Sequence, residues 1–265
     1  MSFLLCLLTF VDGSAVVQAQ VGAAGPFARS TQMIVVTTSG WGAVEGRLER
    51  YERTTPHELW RSVSEPIPIV VGKNGLGWGI GVIATDAAKI RAASDPVKKE
   101  GDGKAPAGVF ALGTAFGYAP QALRGLKMPY LSLTPSIECV DDIGSKYYNR
   151  VVDRSAVVPD WNSSEHMRSV DLYLWGIVVD HNGMVTEANA RPPTPGGGSC
   201  IFLHIWRSPG QGTVGCTAMS QVELETLLTW LDPMRKPLLV QLPAPEYERL
   251  MHRWKLPAFI NDRPR

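Results

Sequence analysis

Glycine and proline cut this chain into short runs, and that punctuation constrains its fold more than any other feature. The sequence holds 26 Gly and 20 Pro, a density of turn-formers that suits a scaffold of many short strands. Met33 to Thr38 reads as a first strand, and Gly46 to Glu52 as an alternating second strand beyond a glycine-bounded turn. Trp60 to Val63 and Ile67 to Val71 continue the meander, with Pro66 and Pro68 placing that part at an edge. Gly72-Lys73-Asn74-Gly75 marks a turn, and Gly176 to Val179 is a further strand. His181-Asn182-Gly183 reads as the turn after it rather than as half of a metal site with Asp180. Trp161 to Val170 reads as a loop with one helical turn, its neighbours Asp160, Glu165 and His166 solvated.

Two helices are expected near the end of the chain. Ser220 and Glu223 form a capping box, and Leu224, Leu227, Leu228 and Leu231 follow at helical spacing up to the stop at Pro233. Lys236 to Leu242 supplies a closing strand and Tyr247 to Trp254 a short terminal helix. The fold class is therefore mostly β with a few short helices.

With 26 Lys and Arg against 25 Asp and Glu, the formal charge is +1, which argues against a nucleic-acid partner or a strongly electrostatic membrane surface. Residues 1–22 resemble a secretory signal peptide, with an apolar run from Phe3 to Val11 and small residues around Val17 to Ala19, though without a basic start. A buried N-terminal strand is the alternative reading. Asp12 and Gly13 interrupt that run well short of the ~20 residues a spanning helix needs, so no transmembrane helix is expected. Removal of the leader takes Cys6 with it and leaves Cys139, Cys200 and Cys216, enough for one disulfide and one free thiol. Cys139 with Cys200 is the pairing adopted, and two buried reduced thiols are the alternative. The cysteines lack metal-ligand spacing, so neither a metal nor a cofactor is expected.

The chemistry concentrates between His204 and Cys216. Ile201 to Leu203 reads as a buried strand that delivers His204 to its end, and Arg207 to Gly212 as a loop. Gly215 lets backbone approach closely just before Cys216, and the helix start at Ser220 is expected to bring N–H groups that depress the thiol's pKa. A thiol becomes a nucleophile when a partner takes its proton, and histidine is the usual partner. An inert cysteine beside a strand histidine satisfied by a carbonyl is the plainer alternative.

The surrounding residues resemble the L,D-transpeptidase catalytic domain family (YkuD-type), cysteine enzymes of bacterial peptidoglycan, whose signature is a strand His, a variable loop and Ser/Thr-His-Gly-Cys. Here that pattern is His204, a short loop, and Thr213-Val214-Gly215-Cys216, with Val214 in place of the second His. The family's Arg soon after the Cys is missing, since Thr217-Ala218-Met219 follows. Glu100 to Phe110 resembles the family's Gly-Pro turn and strand, with Ala105 in place of Thr, and the stretches from Cys139 and Trp175 resemble a short-loop subgroup. The resemblance implies a curved β-sandwich, with a catalytic domain over 30–243 and a helical tail over 244–265.

It also implies acyl transfer through a Cys216 thioester on peptidoglycan stem peptides, with His204 as base and the Ile205 backbone carbonyl orienting its ring. The Gly215 and Cys216 N–H groups would receive the oxyanion. Thr213, Trp206 and Arg207 are the candidate substrate contacts, with Lys104 and Arg191 as further carboxylate partners. A location in the periplasm, or otherwise exported to the cell envelope, follows from the same resemblance. Hydrolysis by the same residues, as carboxypeptidase or amidase, and a non-catalytic wall-binding module are the alternatives. The oligomeric state is left open.

Overall fold

The computed structural model describes residues 26–84, 90–184 and 192–258. The leader expected over 1–22 and the contact residue Arg191 lie outside them. Among the described residues, ten strands lie between Gln32 and His166. They are β1 (Gln32–Thr38), β2 (Glu45–Glu52), β3 (Arg61–Ser62), β4 (Ile67–Val70), β5 (Leu76–Trp78), β6 (Ala105–Gly117), β7 (Tyr130–Ser132), β8 (Ile137–Val140), β9 (Arg150–Asp153) and β10 (Ser164–His166). After β11 (Trp175–Val179) come β12 (Phe202–Ile205), β13 (Thr217–Met219), helix α1 (Gln221–Trp230), β14 (Leu238–Pro243) and helix α2 (Ala244–Trp254). Among the described residues no helix is long and apolar enough to cross a membrane.

Pairing in the larger sheet runs β1, β14, β6, β11, β12, β13, β4, β2, and β2 then pairs back onto β1. The scaffold is mostly β, as expected, and this closure makes it barrel-like. β1 and β14 are the central seam: they pair in parallel, Met33 opposite Leu238 through Thr38 opposite Pro243. Every residue of both is buried, because the barrel interior covers one face and α2 packs against the other. Tyr247, Leu250 and Trp254 of α2 enter the main core together with Leu224, Leu227 and Leu228 of α1, so the segment 244–258 is packed into the barrel's core. Ser220 caps α1 through its hydroxyl, which accepts from the Glu223 N–H at 3.3 Å.

Strand alternation divides the interior into two cores. Ala115, Ile177, Val179 and Leu203 face the main core, whereas Phe116, Val178 and Phe202, one residue out of phase, belong to a second. That second core lies between the outer face of β6, β11 and β12 and a small sheet of order β10, β8, β9, which supplies Ile137 and Cys139. Cys139 of the small sheet and Cys200, just ahead of β12, form a disulfide with Cα atoms 6.0 Å apart. The pairing adopted from the sequence is present and ties the small sheet to the barrel wall. The stretch Trp161 to Val170, expected as loop and turn, contains β10 and a short 3-10 turn over Met167–Ser169.

Candidate functional site

β12 and β13 are parallel neighbours, with Leu203 opposite Thr217 and His204 opposite Ala218. Cys216, one residue before β13, therefore falls opposite Phe202 and shares His204's face. Two residues of rise across one strand spacing put the two Cα atoms about 8 Å apart. Both side chains lie on the second-core face, and both are buried, at 5% and 3% exposure.

The histidine is oriented as the sequence implied. His204 Nδ1 lies 2.7 Å from the Ile205 carbonyl oxygen, and a carbonyl only accepts, so Nδ1 carries the proton and Nε2 is left with a lone pair. Its ring meets the Tyr173 ring edge-on, with centroids 5.2 Å apart. His181, buried at the turn after β11, accepts the Ile80 N–H at Nδ1 (3.3 Å) and meets the Gly197 carbonyl through Nε2 (3.0 Å). Both of its nitrogens are occupied by backbone.

The cysteine's setting departs from expectation. Cys216 precedes a strand, and α1 begins five residues later at Gln221, so no helix N-terminus reaches its sulfur. The Phe202 N–H donates to Sγ at 3.3 Å and the thiol donates to the Cys200 carbonyl at 3.5 Å. Burial pushes the thiol up to about 12, and the nearby Glu165 adds to the rise. The Phe202 N–H, Lys98 and Tyr173 oppose it without prevailing. Burial also lowers His204 to about 4 against the pull of the Ile205 carbonyl. Far from being depressed, the thiol is neutral at pH 7, and so is the imidazole.

The loop before Cys216 is pinned by Thr213. Its hydroxyl donates to the Cys216 carbonyl at 2.7 Å and accepts the Gly215 N–H at 3.1 Å, while its backbone bonds Val71 and Lys73. The Gly215 N–H expected to meet an oxyanion is thus already engaged, and Thr213 would have to yield for it to serve. A Cβ at Gly215 would lie 3.2 Å from the Lys104 carbonyl oxygen, which accounts for glycine there. Trp206 is partly exposed just past β12, its N–H bonded to the Met219 carbonyl, and Arg207 is exposed on the loop. Lys104 reaches the Asn74 carbonyl at 3.1 Å. None of these three side chains hydrogen-bonds the thiol or the imidazole.

Two groups that the sequence reading overlooked complete the site. Tyr173, from the short turn ahead of β11, packs edge-on against Phe116 and Phe202, centroids 5.5 Å away in each case, as well as against His204. Its hydroxyl is 2.9 and 3.0 Å from the two oxygens of Glu165, and it favours negative charge on the nearby Cys216 sulfur. Glu165 was expected to be solvated. Instead β10 sets it opposite Cys139, half-buried and turned toward the thiol, and burial raises its carboxyl to about 7. Asp160 and His166 are exposed, although both have partners: Asp160 accepts from Ser145 at 2.5 Å and His166 lies 3.2 Å from Glu138.

Behind the sulfur, Lys98 is buried and paired with Asp102 at 2.7 Å. Across β11, Gly176 stands opposite both Phe116 and His204, and a Cβ there would lie 2.4 Å from the Phe116 ring. Glycine at this position leaves room for the Phe116 ring. Compared with known protein families, curated proteins and solved structures, the chain matches none.

Proposed function

We propose that this protein is a cysteine-dependent acyltransferase, an L,D-transpeptidase of YkuD-like fold acting on peptidoglycan stem peptides at the cell envelope. The observation that carries the reading is the fixed tautomer of His204: Nδ1–H is spent on the Ile205 carbonyl at 2.7 Å, so Nε2 can accept a proton on the face shared with Cys216. Because both groups are neutral, proton transfer accompanies attack. The thiol proton passes to Nε2 as sulfur bonds to the peptide carbonyl carbon, and the imidazolium returns it to the departing amine, leaving a thioester. An acceptor amine then displaces the sulfur to give an amide, and water in its place would give the hydrolysed acid. The Cys139–Cys200 disulfide supports a location outside the reducing cytosol, in the periplasm or otherwise exported.

Incubation with a stem tetrapeptide, followed by intact-protein mass spectrometry, tests the reading. The expected result is a covalent adduct that is absent from Cys216→Ala and is resolved to an amide by added amine. Exclusive hydrolysis at high amine concentration would favour a peptidase, and no adduct on folded protein with a titratable thiol would overturn catalysis altogether.

A further inference from the structure

Three rings hold Tyr173 in place, those of Phe116, Phe202 and His204, so the direction of its hydroxyl is fixed by packing. That hydroxyl carries a single proton. In the structure it lies against both Glu165 oxygens, at 2.9 and 3.0 Å, while its ring packs on His204 and on Phe202, whose N–H donates to the Cys216 sulfur at 3.3 Å. One proton cannot serve two anions, so an ionised Glu165 and an ionised Cys216 compete for it. Cys216, His204 and Tyr173 are all buried, whereas Glu165 is half-buried and forms the solvent-side end of the network.

We propose that Glu165 is a positioning residue that holds the Tyr173 proton away from Cys216 and so keeps the thiol protonated until its own carboxylate is neutralised. This rests on reading Cys216 as the nucleophile. When the carboxyl takes up a proton, the Tyr173 O–H is released to turn toward sulfur and stabilise the negative charge that grows there during attack. The charged and titratable groups around the pair come from four elements: Asp141 from the end of β8 and Lys98 from the segment preceding β6, with His204 from β12 and Tyr173 from the turn before β11. Asp141 makes Glu165 harder to ionise and Lys98 favours the thiolate, so neither reproduces the carboxylate's effect on the sulfur. Burial lifts Cys216 and the Glu165 charge lifts it further, in keeping with a pair that resists two simultaneous negative charges.

The test needs no acyl donor, so its outcome is independent of the transpeptidase reading. Iodoacetamide alkylation of Cys216 is followed by peptide mass from pH 5 to 10 on the folded, disulfide-intact protein. Glu165→Gln, which keeps the shape and loses the charge, is expected to move the profile to lower pH and raise the rate at pH 8 by about tenfold or more. In a Tyr173→Phe background the same substitution should gain about threefold or less, because the hydroxyl that transmits the effect is gone. A Glu165→Gln profile superimposable on wild type would overturn the proposal. So would an undiminished gain in the Tyr173→Phe background, since the carboxylate would then act through space alone, and so would a thiol that stays unreactive in every variant. If Glu165→Gln fails to fold, Asp141→Asn serves instead. It should shift the carboxyl's titration, read in the alkylation profile, to lower pH, and no shift would refute the role.

Discussion

His204 and Glu165 should give the protein's stability opposing pH dependences that cancel until one is removed. His204 is held neutral down to about 4, whereas an unfolded histidine charges near 6.5. Between those values the unfolded chain binds the extra proton, so His204 makes the fold lose stability as pH falls. The gap, at 1.36 kcal/mol per pH unit, is worth about 3 kcal/mol. Glu165 has the opposite sign: its carboxyl is raised to about 7 from an ordinary 4.5. The folded form keeps the proton, and stability present below pH 4.5 is lost as pH rises through 7, again by about 3 kcal/mol. Over pH 4.5 to 6.5 the two slopes largely offset each other in the wild type. Glu165→Gln should expose the histidine slope, with unfolding free energy dropping by about 3 kcal/mol between pH 6.5 and 4 relative to wild type. His204→Gln should expose the reverse slope, with stability falling as pH rises from 4.5 to 7. Urea melts at half-unit pH steps measure both, and taking differences between proteins removes the surface carboxylates common to all of them. Parallel curves for the three proteins would refute the claim that these groups are buried in the protonation states described.

Three further perturbations bear on the scaffold around the thiol. The Cys139–Cys200 bond spans 61 residues, so Cys139→Ser with Cys200→Ser should cost about 4 kcal/mol by loop entropy, read as a lower urea midpoint in the double variant; an unchanged midpoint would mean the small sheet is held by packing alone. Gly176→Ala places a methyl group 2.4 Å from the Phe116 ring, which Phe202 and Tyr173 already hem in, and should destabilise the fold by about 1–3 kcal/mol in thermal melts. Thr213→Val removes both hydroxyl bonds of the loop and should slow adduct formation, while Thr213→Ser should preserve it; equal rates in the two would make the hydroxyl irrelevant.

What the sequence made legible follows local rules. The capped helix at Ser220, the strand that delivers His204 and the turn at Asn182 and Gly183 all came from patterns a few residues long, and each stands where expected, with Asn182 at φ 54 and Gly183 at φ 72. The Ile205 carbonyl was named as the histidine's partner through the family resemblance, and it stands 2.7 Å from Nδ1. Glu165 could not be read correctly, since a glutamate near a serine pair looks solvated until β10 is paired against Cys139 and turned toward the barrel. Tyr173 was hidden for the same reason: its partners Glu165, His204 and Cys216 are 8, 31 and 43 positions away, and only the packing of the second core brings them together. The error over the thiol was of a different kind. The capping box was placed correctly, but β13 intervenes between Cys216 and α1, so burial acts on the sulfur and the helix does not.

The division into two cores sets how the thiol is enclosed. The barrel wall carries His204 and Cys216 and is backed on its other face by the main core. The small sheet carries Glu165, and its contact with the wall is the thinner one: a modest apolar cluster, Tyr173, and one disulfide. The thiol is 3% exposed, and its 3.5 Å bond to the Cys200 carbonyl must break before it can give up its proton, at a cost on the order of 1 kcal/mol. Cys200 is bound to the small sheet through its sulfur and to Cys216 through its carbonyl, so the acceptor of the thiol proton is tied to the same sheet that holds Glu165 against Tyr173. Both polar contacts of the buried network therefore depend on how that one sheet is seated on the wall.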